Sequence, residues 1–250
     1  FGLTDIKGLN VEFQKIIQQR IKDTDLPLIN GGVTIHGGWN PKHNEVFFTL
    51  LDYDTTNIGH IVGTGTTLTY NELTEGFDSF HSFFPSMYHR NQNHFLSVKP
   101  GSTDNWMWEH DTGSYNVYYD VLQPSTLKFQ INLPPSTVSK RLDLIELVTQ
   151  INTTLANGDV GVDVPFETFT SVRIWNSYQD SGTIALVPQV NIKKRFRSWR
   201  WNKIRDYVNF PVEMPRQRDK VFFCELTFSN PLNRRMVVND INSELEVQPY

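Results

Sequence analysis

Seven cations and three rings crowd residues 193–205. Lys193, Lys194, Arg195, Arg197, Arg200, Lys203 and Arg205 are threaded with Phe196, Trp199 and Trp201. Cations for phosphates and flat rings for bases are what a single-stranded nucleic-acid site requires. The same pattern suits an arginine-rich strand whose tryptophans are buried and whose cations meet acids of a neighbouring domain or subunit. The second reading is preferred.

Other residues invite chemistry and are read more plainly. Glu109 and Asp111 sit two apart, which on a strand puts both carboxylates on one face at a separation a glycosidase could use. Asp111-Thr112-Gly113 is also an ordinary turn in which the aspartate satisfies nearby backbone amides, and Asp52 and Asp54 read the same way. His81, His89, His94 and His110 are spaced eight, five and sixteen apart, unlike the close pairs of a zinc site. Trp106 and Trp108, with Tyr115, Tyr118 and Tyr119, could stack on a sugar, but aromatic strands more often fill a core or an interface. Cys224 reads as a small buried hydrophobe. The sequence has no glycine-rich phosphate loop, GxSxG elbow or HExxH helix, so neither a cofactor nor a metal is expected.

Composition bounds the class. The chain has 250 residues, 13% of them aromatic, with a net charge of −4. Rings pack well on a pleated surface, so this content favours strands. The charge is uneven: residues 193–250 carry 12 Lys/Arg against 7 Asp/Glu, while residues 1–192 carry 11 against 20. A split of this kind suits complementary faces, within a molecule or between copies. A single cysteine excludes an internal disulfide, and no apolar run approaches the roughly 18 residues that cross a bilayer. The sequence begins at Phe1 and not at Met, so it is read as a fragment of a longer polypeptide.

The elements that must carry these residues are mostly strands. Residues 5–22 predict a helix, with Phe13, Ile16, Ile17 and Ile21 forming one apolar stripe. Two strands flank a turn at residues 40–44, the stronger at 45–51, and another is expected at 66–70. Residues 71–119 hold three aromatic runs in the rhythm of one propeller blade. Phe77, Phe80, Phe83 and Phe84 stop at Pro85; Phe95, Leu96 and Val98 stop at Pro100; Trp106 to Trp108 stop before the turn at 111–113. Further strands are predicted at 126–133, 166–175, 183–192, 220–229 and 236–241. Of these, 220–229 alternates most cleanly, with Phe222, Cys224, Leu226 and Phe228 on one face. Residues 140–154 are open between helix and strand: Leu142, Ile145 and Val148 have helical spacing, yet the segment is rich in β-branched residues. The expected fold is all-β, with propeller-like blades and a short N-terminal helix in residues 1–122, followed by a β-sandwich in 123–250.

Two stretches together carry a family resemblance. The first is YNELTEGFDSFHSFFPSMY with NWMWEHDTG, and the second is WNSYQDSG, KRFRSWRWNKIR, RQRDKVFFCELTFSN and RRMVVNDI. This combination resembles the C-terminal part of the tail stabilisation, or muzzle, proteins of crAss-like short-tailed bacteriophages. The resemblance implies a non-enzymatic virion protein of the phage tail, in a homo-oligomeric ring around the DNA exit channel. It implies other tail proteins as partners and passage of double-stranded DNA or cargo proteins, and it carries no catalytic residues. Arg195, Arg197, Trp199, Arg200, Trp201, Arg205, Trp106 and Trp108 are the candidate interaction residues. The alternative is a carbohydrate-binding adhesin or depolymerase module of a phage tail, and a third reading is a DNA-binding module at residues 193–205.

Overall fold

The computed structural model describes residues 34–53, 61–101, 106–132, 138–155 and 159–247, and the described chain is all-β. The helix expected at residues 5–22 lies outside these residues. The chain divides into two compact units, the first within residues 1–112 with 118–120 and the second within 113–117 with 121–250.

The first unit opens with an antiparallel meander: β1 (Thr34–Asn40), β2 (Glu45–Tyr53), β3 (Ile61–Asn71) and β4 (Gly76–His81) pair in sequence order. The Asn40↔Glu45 pair closes the first hairpin around the turn predicted at residues 40–44. A separate three-stranded sheet follows, from β5 (Met87–Asn91), β6 (His94–Val98) and β7 (Trp108–Glu109). Residues 71–119 are therefore not one sheet. Their first aromatic run completes the meander and the later two build the smaller sheet, because Phe80 finds its partner in Leu68 of β3. The two sheets share a core in which Phe47, Phe83 and Phe95 are packed by Tyr88, Tyr118 and Tyr119. Gly38 of β1 permits this approach, since a Cβ there would lie 2.6 Å from both Cβ and Cγ of Tyr88. A buried polar seam runs alongside: Thr49 bonds Thr67 at 2.8 Å and the Tyr88 hydroxyl at 2.6 Å, and Thr67 donates to the Phe83 carbonyl at 2.6 Å.

A short two-stranded pair follows, β8 (Val117–Tyr118) and β9 (Val121–Leu122). The second unit then runs β10 (Ser125–Ile131), β11 (Lys140–Thr154), β12 (Val160–Asp163), β13 (Ser171–Trp175), β14 (Ile184–Ala185), β15 (Lys193–Arg195), β16 (Ser198–Trp201), β17 (Arg218–Asp219), β18 (Phe222–Phe228) and β19 (Arg234–Val247). One sheet has the order β10-β18-β13-β14. The other is organised by β11, which pairs with β19 over its length and with β17, β16 and β12 in succession on its opposite edge. Both sheets contribute to one hydrophobic cluster, with Phe222, Cys224, Leu226, Val172 and Ile174 from the first and Leu142, Ile145, Leu147, Ile151, Trp199 and Trp201 from the second. The alternation read at 220–229 appears as β18, whose Phe222, Cys224, Leu226 and Phe228 are buried. Residues 140–154 resolve as strand. A register shift between Leu142 and Leu144 inserts one extra residue, so the buried Leu142 and Ile145 fall three apart on a strand, as they would on a helix.

Candidate interaction surface

The basic segment folds as the β15–β16 hairpin, with Lys193↔Arg200, Lys194↔Trp199 and Arg195↔Ser198 opposed across a two-residue loop of Phe196 and Arg197. β16 pairs through Ile145↔Trp201, Glu146↔Arg200 and Leu147↔Trp199 with the central β11, so its tryptophans enter the core and are 0% and 1% exposed. Burial of two such rings removes roughly 150–250 Å² each from water and anchors the hairpin. Alternation sends Arg200 to the other face, where its Nε lies 3.4 Å from the Glu146 carboxylate. Arg205 donates to the Met214 carbonyl at 3.0 Å, and Lys194 donates to the Pro165 carbonyl while its Nζ sits 5.5 Å above the Trp199 ring. Lys193, Arg200 and Lys203 are exposed, and the tip stands free of the body of the sheet. Arg195 and Arg197 are exposed, and Phe196 between them is 101% exposed at a φ of 55°.

Trp106 and Trp108 belong to the first unit. Trp106 is 60% exposed, whereas Trp108 is half-buried and meets Tyr119 edge-on at 5.7 Å. The structure therefore gives the two rings different surroundings. Glu109 and Asp111 are each held by different partners: Glu109 by His94, and Asp111 by Asn40 Nδ2 at 2.7 Å and His43 Nε2 at 3.2 Å. Asp111 has a positive φ of 62°, as its turn requires.

The histidines separate in the same way. His81 and His110 lie against the aromatic core, 5.1 Å and 6.5 Å from the Phe47 ring, and His110 bonds the Ser97 hydroxyl at 2.6 Å. Burial pushes the pKa of both down to about 4, so both imidazoles are neutral at pH 7. Among the described residues, no group of three or more His, Cys, Asp or Glu could hold a metal ion, and no helix is long and apolar enough to cross a membrane. Burial likewise pushes the Cys224 thiol up to about 12, which leaves it a protonated core side chain.

Two features escaped the sequence reading. One is the isolation of Phe196, whose signal was the single step between Arg195 and Ser198 that a two-residue hairpin loop occupies. The other is the acidic end of the meander, at the turn between β3 and β4. There Glu72, Glu75 and Asp78 are exposed beside Leu73 at 76% and Phe80 at 67%. Asn71 Oδ1 accepts the Leu73 and Thr74 amides at 2.9 and 3.2 Å and fixes that turn. Partial burial, then the charge of Asp78, raise the pKa of Glu45 on the adjoining strand.

No family model matches the chain. Over 205 residues it is 25% identical to the protein named muzzle protein of Bacteroides phage crAss001, a stretch covering 75% of this chain and 12% of that protein. The chain thus spans a small part of the relative's length. The resemblance to phage muzzle proteins read from the sequence is matched by this similarity, at 25% identity.

Proposed function

We propose that this chain is a non-enzymatic structural part of a phage tail, assembled as a ring around the DNA exit channel, where it stabilises and closes the tail tip and gates release of the genome and cargo proteins. The observation that carries the reading is the identity to the muzzle protein, which extends over 75% of the chain and is not confined to one element. The fold supports it. The β1–β4 meander has the strand number and order of a propeller blade, and the two sheets around one core suit a β-sandwich. Chemistry agrees as well: the basic segment uses its tryptophans as core, and Glu109 and Asp111 are engaged by local partners. Other tail proteins and further copies of the chain are its partners, and double-stranded DNA passes without being held. Arginines lining the lumen would bind phosphates and slow that passage, so they belong on contact surfaces.

Electron microscopy of particles carrying an epitope tag on this chain tests the reading. The expected result is a closed ring of label at the distal end of the tail; absence of label from the tail removes the proposal. The exposed Trp106 favours one alternative, a glycan-binding adhesin. That reading requires glycan-array binding that Trp106→Ala abolishes in a normally folded protein.

A further inference from the structure

The tip of the β15–β16 hairpin displays a large apolar ring in water on a backbone conformation that disfavours it. A two-residue loop with positive φ at its first position is the natural place for glycine, and a side chain with a Cβ is strained there. Phe196 nevertheless occupies it, at φ 55° and with its ring fully exposed. Strain of this sort persists only where the surrounding structure imposes it. Here the imposition is clear: Ile192, Trp199 and Trp201 are buried on the flanks, and Ser198 Oγ donates to the Arg195 carbonyl at 3.2 Å. Among the described residues, Arg195 and Arg197 make no ion pair. The result is a rigid apolar knob between two cations.

We propose that this knob, Arg195, Phe196 and Arg197, docks on the acidic end of the β3–β4 hairpin of a second copy of the chain, around Glu72, Leu73 and Glu75. The inference rests on the ring proposed above and names its contact. Charge complementarity supports the choice. The acceptor turn carries Glu72 and Glu75 with the exposed Leu73 between them, and Asp78 and the exposed Phe80 continue on β4, the edge strand of its sheet. An exposed ring and two guanidinium groups would meet exposed apolar side chains and carboxylates. Arginine and aromatic residues are the common anchors of interfaces. The two patches differ, so the contact is heterologous and can repeat until a ring closes. Single-stranded nucleic acid is the less suitable occupant, because Trp199 and Trp201 are buried and leave Phe196 as the exposed ring of this segment.

Sedimentation of the full 250-residue chain tests the contact. Arg195→Glu with Arg197→Glu, and separately Glu72→Arg with Glu75→Arg, should each weaken self-association by about tenfold or more, and combining all four should restore it. Phe196→Gly should also weaken association, yet raise Tm by roughly 1–3 °C, because glycine relieves the backbone strain. A ring that serves its own fold would give the reverse, a lowered Tm with association untouched, and that result overturns the proposal. So does a wild-type chain that stays monomeric at about 100 µM, a concentration at which even weak contacts form. Failure of the four-residue combination to recover association overturns it too. Salt-sensitive binding of oligo-dT that Arg195→Glu with Arg197→Glu abolishes would assign the tip to nucleic acid instead. A monomeric chain that still labels the tail tip would sink this contact and leave the tail reading standing; label missing from the tail would sink the tail reading itself.

Discussion

The two units of this chain are both antiparallel β, but they are stabilised by different chemistry. The first packs rings against rings, with Phe47, Phe83 and Phe95 among tyrosines and two half-buried imidazoles. The second packs aliphatic side chains around two tryptophans and carries several arginine–carboxylate pairs on its outer faces. Arg141 Nε reaches Asp143 at 2.7 Å and Arg216 Nη1 reaches the same carboxylate at 2.6 Å, while Arg173 Nη2 meets Asp180 at 2.5 Å. The lesson is that the two cores should respond to different insults. Aromatic–imidazole packing is exposed to acid through its histidines, whereas aliphatic packing is exposed mainly to loss of volume.

The largest expected effect breaks the second core alone. Trp199→Ala removes a fully buried indole at the junction of β11 and β16 and should cost about 3–5 kcal/mol. Calorimetry should show the transition of residues 121–247 collapsing while that of the aromatic unit changes little. A uniform shift of both transitions would show that the two cores melt as one.

Acid should attack the other unit. His81 and His110 have folded pKa values of about 4, below the ordinary 6.5, chiefly because burial disfavours the charged ring. The unfolded chain therefore binds more protons between those values, and stability falls as pH drops from about 6.5 towards 4. Each histidine should withdraw about 2–3 kcal/mol over that window, since one pKa unit is about 1.4 kcal/mol. The raised pKa of Glu45 acts in the opposite sense and offsets a part. In the second unit, burial would raise Asp143, but hydrogen bonds and charge from Arg141 and Arg216 outweigh it and hold it low; Arg173 does the same for Asp180. Their stabilisation is lost only as pH falls below about 4. A pH series followed by tyrosine and tryptophan signals should show the aromatic unit unfolding first, and His81→Phe should flatten its slope by about half. Equal acid sensitivity of the two units would break the comparison.

A smaller effect sharpens the packing side of the contrast. Gly38→Ala places a methyl 2.6 Å from Tyr88 Cβ, a position that side chain cannot vacate by rotation alone. It should cost about 1–3 kcal/mol, measured as a lower urea midpoint for the first unit. An unchanged midpoint would mean that β1 has room to retreat from β5.

These elements differed in how far the sequence revealed them. β18 was plain because its period of two runs unbroken from Phe222 to Phe228. The segment 140–154 was ambiguous because a bulge at Asp143 gave a strand the spacing of a helix, and bulges are set by pairing partners that no local pattern displays. The aromatic run at 71–119 revealed strand content but not its division between two sheets, since a phenylalanine on a strand does not state which neighbour it will face. At the candidate surface, alternation made burial of Trp199 and Trp201 foreseeable. The isolation of Phe196 depended on the turn between the strands, where one residue decides which side chain stands alone.

The smallest effect concerns a neighbour of the largest. Arg200 adjoins Trp199 in the sequence and was grouped with it as an interaction residue, yet the pleat sends it to the outer face. Its guanidinium is 42% exposed and lies 3.4 Å from Glu146, a distance at which water competes well with the carboxylate. Exposed pairs of this kind contribute about 0–0.5 kcal/mol, so Arg200→Ala should leave the urea midpoint within error at moderate salt. If Arg200→Ala destabilised the second unit by as much as Trp199→Ala, its outer face would be a second core, and the division between buried volume and surface charge would not describe this half of the chain.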